Sequence, residues 1–101
     1  MTNAIQKAQS FIQKLGEDGI KVEDAYLFGS YAKGGAGKDS DIDVCIISKE
    51  FGRDYIKEMV QLRKISLQVD SRIEPISFGI DDINDPYSAI ASEVRKNGIH
   101  I

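Results

Sequence analysis

The sequence predicts an α/β (α+β) domain, a small mixed sheet of three to four strands packed with helices. Three observations carry this reading. Helical and strand-like stretches alternate in the order helix, strand, short helix, strand, helix, strand, helix. The run Val44 to Ile47 is apolar at every position, the pattern of a central strand covered on both faces. Glycines and Asp-Pro punctuate the chain between these stretches.

Taken in order, Ile5, Ala8, Phe11, Ile12 and Leu15 recur at spacings of three and four, a helical stripe that Thr2 or Asn3 can cap. Gly16 and Gly19 end it. Lys21 to Phe28 reads as a strand, with Val22, Tyr26 and Phe28 on one face and Leu27 on the other. Ser30 can cap a very short helix, Tyr31 to Lys33, ahead of a loop rich in glycine, Gly34 to Gly37. A second strand, Asp41 to Ser48, starts polar and turns apolar, as a central strand does when its first residues emerge at a rim. A helix over Tyr55 to Leu67 carries Ile56, Met59, Val60, Leu62 and Arg63. A third strand, Arg72 to Phe78, contains Glu74 and Pro75, and the proline predicts an edge or irregular strand. Asp85-Pro86 is a cap-plus-first-turn signal for a last helix running to Lys96, closed by Asn97-Gly98. Ile99 to Ile101 is too short to assign.

The 101 residues suit a single domain, 1–101, with a modest core. No run approaches the roughly 18 apolar residues of a membrane span, and the first residues lack the apolar core of a signal peptide. A single cysteine, Cys45, excludes an internal disulfide, so a reducing, cytoplasmic setting is expected. The net charge of −3 argues against nucleic acid as a partner, since such domains are usually basic. An anionic substrate remains open if a cation supplies the positive charge.

The chemistry gathers in Phe28 to Ile47. Residues two apart on a strand share a face about 7 Å apart, so Asp41 and Asp43 present two carboxylates side by side. Such a pair repels itself unless a cation neutralises it. Magnesium suits it, because it takes one or two protein carboxylates and fills its shell with water and phosphate oxygens. Alone, an Asp-x-Asp is more often a solvated strand start; the apolar run directly behind it demands a reason for the charges. Gly29-Ser30 supplies a close backbone approach and a hydroxyl for a phosphate, although a lone Gly-Ser is usually a plain turn. Lys33 and Lys38 flank the loop and can neutralise a triphosphate; singly, each reads as solvated surface.

Gly29-Ser30, ten intervening residues, then Asp41-x-Asp43 together resemble the signature of the DNA polymerase beta-like nucleotidyltransferase superfamily. The fuller run, Gly29 to Gly34 followed by Ser40 to Asp43, resembles its minimal nucleotidyltransferase (MNT) branch. The motif spans residues 28–43, and the order of elements extends the likeness over nearly the whole chain. The resemblance implies a polymerase beta palm-like fold, with Gly29, Ser30, Lys33 and Ser40 at the nucleotide and Asp41 and Asp43 on Mg2+. A third carboxylate on the next strand would complete the metal and catalytic set. Glu74 and Asp70 both remain open for that role; Glu74 is preferred because a strand position beside Asp43 fixes its geometry.

The implied reaction moves AMP from ATP to an acceptor hydroxyl, with loss of pyrophosphate. The branch is associated with a helical HEPN-type partner protein, a tyrosine of which could be the acceptor. The alternative is an antitoxin-like module that neutralises such a partner by binding alone. A chain this short offers no second domain for a bulky acceptor, so the acceptor site is expected from a partner or from a homo-oligomer. Other residues read plainly. Cys45 is a small buried hydrophobe, His100 a surface residue, Asp81, Asp82 and Asp85 a turn and a helix cap, and Tyr31 packs by the loop or faces solvent.

Overall fold

The computed structural model describes residues 2–37 and 40–101, apart from the side chain of Thr2. Lys38, expected beside the triphosphate, and the capping side chain of Thr2 lie outside the described residues. The helices are α1 (Thr2–Glu17), α2 (Ser30–Lys33), α3 (Tyr55–Ser66) and α4 (Ala89–Asn97). The strands are β1 (Asp24–Phe28), β2 (Ile42–Ile47), β3 (Ile73–Phe78) and β4 (Ile99–His100). The strands form one mixed sheet in the order β3-β2-β1-β4. β2 runs parallel to β3 and antiparallel to β1, and β1 is antiparallel to β4.

The apolar run predicted for a central strand is one. Ile42, Val44, Cys45 and Ile46 have no exposed surface. Their alternating side chains feed two cores. Ile42, Val44 and Ile46 meet Leu27 of β1, Phe11 and Leu15 of α1, Leu62 and Ile65 of α3 and Ile73 of β3. Cys45 and Ile47 meet Phe28, Phe78, and Ala91 and Val94 of α4 on the other side. Each of the larger side chains contributes about 1.5–3 kcal/mol by leaving water.

Several boundaries differ from the sequence reading. β1 starts at Asp24, and Val22 lies ahead of it, packed against the larger core rather than sharing a face with Tyr26 and Phe28. β2 starts at Ile42, which leaves Asp41 just outside the strand. Ser30 is the first residue of α2 and caps nothing; Gly29 holds the cap position. The last helix does not open at Asp85-Pro86. A single 3-10 turn, Asp82–Asn84, comes first, and Ser88 caps α4 by accepting the Ala91 N–H at 3.0 Å. Asp85 instead accepts the Tyr87 N–H at 2.9 Å, which spends its carboxylate on a turn. Ile99-His100, left unassigned, forms β4 because β1 offers it a free edge, Tyr26 facing His100 and Leu27 facing Ile99.

β3 is an edge strand, as Pro75 requires. The carbonyls of Arg72 and Phe78 accept from Ile42 and Ser48, so backbone groups of alternate residues turn toward β2. Those of Ile73, Pro75 and Ser77 therefore face the open edge. Pro75 has no N–H there, and the Ile73 carbonyl accepts from the Arg63 guanidinium.

Glu58 joins α3 to β3 from inside. Buried, it accepts the N–H groups of Gly52, Arg53 and Asp54 at 3.0, 3.1 and 3.0 Å and the Ser77 hydroxyl at 3.1 Å. Burial pushes its pKa up, but the four donors together outweigh burial and leave it below the ordinary 4.5. A lowered folded-state pKa means the contribution is complete above the unfolded value and fades as pH falls through the folded one. Glu58→Gln should therefore cost about 2 kcal/mol at pH 7. Urea unfolding of both proteins checks this, and the difference between them should shrink below pH 4.5.

Candidate functional site

The site forms where β1 ends and β2 begins. Because the two strands are antiparallel, Phe28 stands opposite Asp43, and the chain turns at once through Gly29 into α2. Gly29 has φ +70°, a conformation that side chains resist, and a Cβ built there would collide with the Asp43 carboxylate. Absence of a side chain is thus what lets the Gly29-Ser30 corner lie against Asp43.

On the other side of β2, the parallel register sets Glu74 beside Asp43. Asp43 is half-buried at the rim. Burial first, then the charges of Asp41 and Glu74, raise its pKa above the ordinary 3.8. Asp43 therefore feels the charge of both other expected carboxylates. Its carboxylate is strained by charge, the state a bound cation relieves.

Asp70 has other work. It accepts from the Arg72 N–H at 2.9 Å and from Arg72 Nε and Nη2 at 3.1 and 3.0 Å, and its Oδ2 lies 3.5 Å from Lys7 Nζ. These partners, Arg72 foremost, hold its pKa well below the usual carboxylate range. It pins the entry to β3 onto α1, which favours Glu74 as the third member of the rim.

Glu74 is itself engaged: Arg63 Nη2 stands 3.3 Å from its Oε1. Among the described residues no three side chains of the metal-binding types converge as a ready-made cage. Magnesium is commonly held by one or two carboxylates plus substrate phosphates rather than by an all-protein shell. Asp41 and Asp43 would hold it, with Glu74 alongside once released from Arg63.

The remaining expected residues sit around the corner. Ser30 is half-buried at the start of α2. Ser40 accepts the Gly37 N–H at 2.8 Å, and Tyr31, buried, donates its hydroxyl to the Gly37 carbonyl at 3.3 Å. These two bonds fold the glycine loop back and deliver the chain to Asp41. Lys33 reaches α4, its Nζ 2.8 Å from Glu93 Oε1, as an ion pair without aligned hydrogen-bond geometry. The pair is half-exposed and worth little to stability; a bound triphosphate would compete for the lysine.

Cys45 lies one pleat behind Asp43, fully buried, its thiol pushed up to about 12 by burial and then by Asp82. It is the inert hydrophobe expected. His100 is exposed, as expected, with Nε2 2.8 Å from Asp24 Oδ1. The sequence reading missed the partners that occupy the site residues, Arg63 on Glu74 and Glu93 on Lys33. Arg63 carried one available signal, a cation within an otherwise apolar helical stripe.

A four-stranded mixed sheet with helices on both faces, and with this rim, defines a small domain of the nucleotidyltransferase fold. The nucleotidyltransferase domain family matches residues 6–95, and the chain belongs to that family. Two similar chains from Methanocaldococcus jannaschii are provisionally designated protein adenylyltransferases. One is 40% identical over 62 residues, which cover 57% of this chain and 61% of that one. The other is 35% identical over 81 residues, covering 71% and 53%. The chain thus spans only about half to three fifths of these relatives.

Among solved structures, a Sulfolobus solfataricus protein provisionally described as a nucleotidyltransferase superposes with a TM-score of 0.73 at 17% identity, covering 98% of this chain and 79% of that one. A chain of a toxin–antitoxin complex crystallised with AMP-PNP gives 0.63 at 26% identity, covering 90% and 69%. No helix among the described residues is long and apolar enough to cross a membrane.

The charge strain on Asp43 has a measurable consequence. Its raised pKa means that stability is lost as pH climbs from 3.8 through the folded-state value. Asp43→Asn should therefore melt at a higher temperature than wild type at pH 7. Added magnesium with ATP should raise the melting point of wild type and leave that of Asp43→Asn nearly unmoved, read by differential scanning calorimetry.

Proposed function

We propose that this chain is a magnesium-dependent adenylyltransferase that moves AMP from ATP to a hydroxyl on a protein. The observation that carries the reading is the packing of Gly29, at the Gly29-Ser30 corner, directly against Asp43, on which the charges of Asp41 and Glu74 also act. The family and the protein adenylyltransferase designation of two relatives support the reaction class and the acceptor class.

The chain's own part is positioning and charge. Ser30 donates its hydroxyl to a phosphate oxygen, and the side-chain-free Gly29 lets the triphosphate approach the backbone. Asp41 and Asp43 would hold the cation, which would supply neutralisation of the phosphate charge and of the carboxylates' mutual repulsion. Lys33 exchanges Glu93 for the leaving pyrophosphate. Glu74 takes the proton of the acceptor hydroxyl as its oxygen bonds to the α-phosphorus, and pyrophosphate departs. Ser40 acts by closing the glycine loop ahead of Asp41.

A second reading is favoured by the likeness to a chain of a toxin–antitoxin complex. The domain then neutralises a helical partner of the HEPN type by covering it, whether or not it transfers AMP to a tyrosine there. Incubation with ATP labelled at the α-phosphate, magnesium and the partner separates the two. Asp41→Ala/Asp43→Ala should reduce transfer at least about 10³-fold, and Ser30→Ala about 10- to 100-fold, with the fold intact by circular dichroism. If the double variant still silences its partner and wild type transfers no label, binding alone is the function.

A further inference from the structure

An apolar groove of about 650 Å³ runs between α3 and the open edge of β3. Met59, Val60, Leu67 and Pro75 line it, and Glu74 of the candidate site lines it with them. The groove therefore leads to the third carboxylate of the rim. Its outer lip is apolar: Ile56, Val60 and Leu67, spaced four and seven apart on one helical face, are 77%, 65% and 54% exposed. The adjoining edge cannot receive an added strand, because Pro75 lacks an N–H and Arg63 already holds the Ile73 carbonyl. An occupant must enter with side chains, as a loop does.

The groove is also basic. Lys64 lines it beside the Arg63–Glu74 pair, Lys57 lies in the first turn of the same helix, and Arg53 just precedes that helix. Glu74 in the lining is paired with Arg63, and of the acidic residues at the start of the helix Glu58 is buried and Asp54 accepts the Lys57 N–H. The complement is an acidic loop with an aromatic or aliphatic anchor, and this chain carries one. Tyr87 is 95% exposed, more than any other large apolar or aromatic side chain described. Exposed Asp81 and Asp85 precede it, with Ile80 43% exposed. The loop is braced, not loose: Arg95 Nη1 donates to the Ile83 carbonyl at 2.6 Å, and Asp85 holds the Tyr87 N–H.

We propose that the groove seats the Asp81–Tyr87 loop of a second copy of this chain, and that Tyr87 is an adenylylation site modified in trans. This rests on the adenylyltransferase reading above. The Tyr87 phenol oxygen bonds to the α-phosphorus of ATP, the bond from that phosphorus to the pyrophosphate oxygen breaks, pyrophosphate leaves, and the phenol proton passes to Glu74. Modification ends when Tyr87 is consumed, and it adds a bulky anion to the loop.

The test is intact-mass and peptide analysis after incubation of the purified chain with magnesium and ATP. The expected result is one AMP per chain, on Tyr87, at a rate that rises with protein concentration, and none on Tyr87→Phe. Mixed with Tyr87→Phe, the inactive Asp41→Asn/Asp43→Asn chain should become modified. Val60→Glu in the Tyr87→Phe partner should slow this at least tenfold while leaving its ATP binding by calorimetry unchanged. AMP on another residue, a rate independent of concentration, or indifference to Val60→Glu would overturn the proposal. So would absence of modification with ATP binding intact, including transfer only to a different protein, and the adenylyltransferase reading would survive that result. Loss of both ATP binding and transfer would remove the two together.

Discussion

Everything at the rim depends on one close approach, the backbone of Gly29 against the carboxylate of Asp43. Two requirements meet there. The turn out of β1 needs a positive φ, and the space where a Cβ would stand is already filled by a side chain from the next strand. Only glycine meets both. The consequence is that the phosphate-sized corner and the acidic pair, twelve positions apart in sequence between Gly29 and Asp41, become one surface.

The sheet makes that approach dependable. β2 is buried on both faces, and a one-residue slip would move Ile42, Val44 and Ile46 out of the larger core and carry Asp43 to the opposite face. With β2 locked, the antiparallel partner brings Phe28 and the corner to Asp43, and the parallel partner brings Glu74. The apolar cores thus determine where three negative charges stand. Their mutual repulsion is a cost the fold carries at this spot, as functional sites commonly do. Two structural carboxylates are satisfied: Glu58 by four donors, Asp70 by Arg72 and Lys7. Unrelieved charge concentrates at Asp43, which marks it off from the structural acids.

Much of this was legible in the residues. The spacing of Gly29-Ser30 from Asp41-x-Asp43, the apolar run behind Asp43, and Pro75 on an edge all carried over into the structure. What failed was local punctuation. Asp85-Pro86 has the chemistry of a helix start, yet the helix waits for Ser88, because Asp85 can satisfy a nearer N–H and the 3-10 turn must first pack against α4. Val22 keeps the alternation of a strand, yet it lies before β1 and turns to the larger core. Short-range pattern does not say where a strand finds its partner, and pairing is what ends it.

The sequence by itself determined the alternation of helices and strands, the central strand, and the family-like spacing of glycine, serine and aspartates. These depend on periodicity and turn chemistry, which act over a few residues. Tertiary structure alone set Glu74 beside Asp43, through the parallel register, and gave Asp70 to Arg72 and Lys7. It also decided that Lys33 faces Glu93 and that Arg63 holds Glu74. Such pairings join residues from separate elements, and their geometry exists only once the two cores have closed around β2.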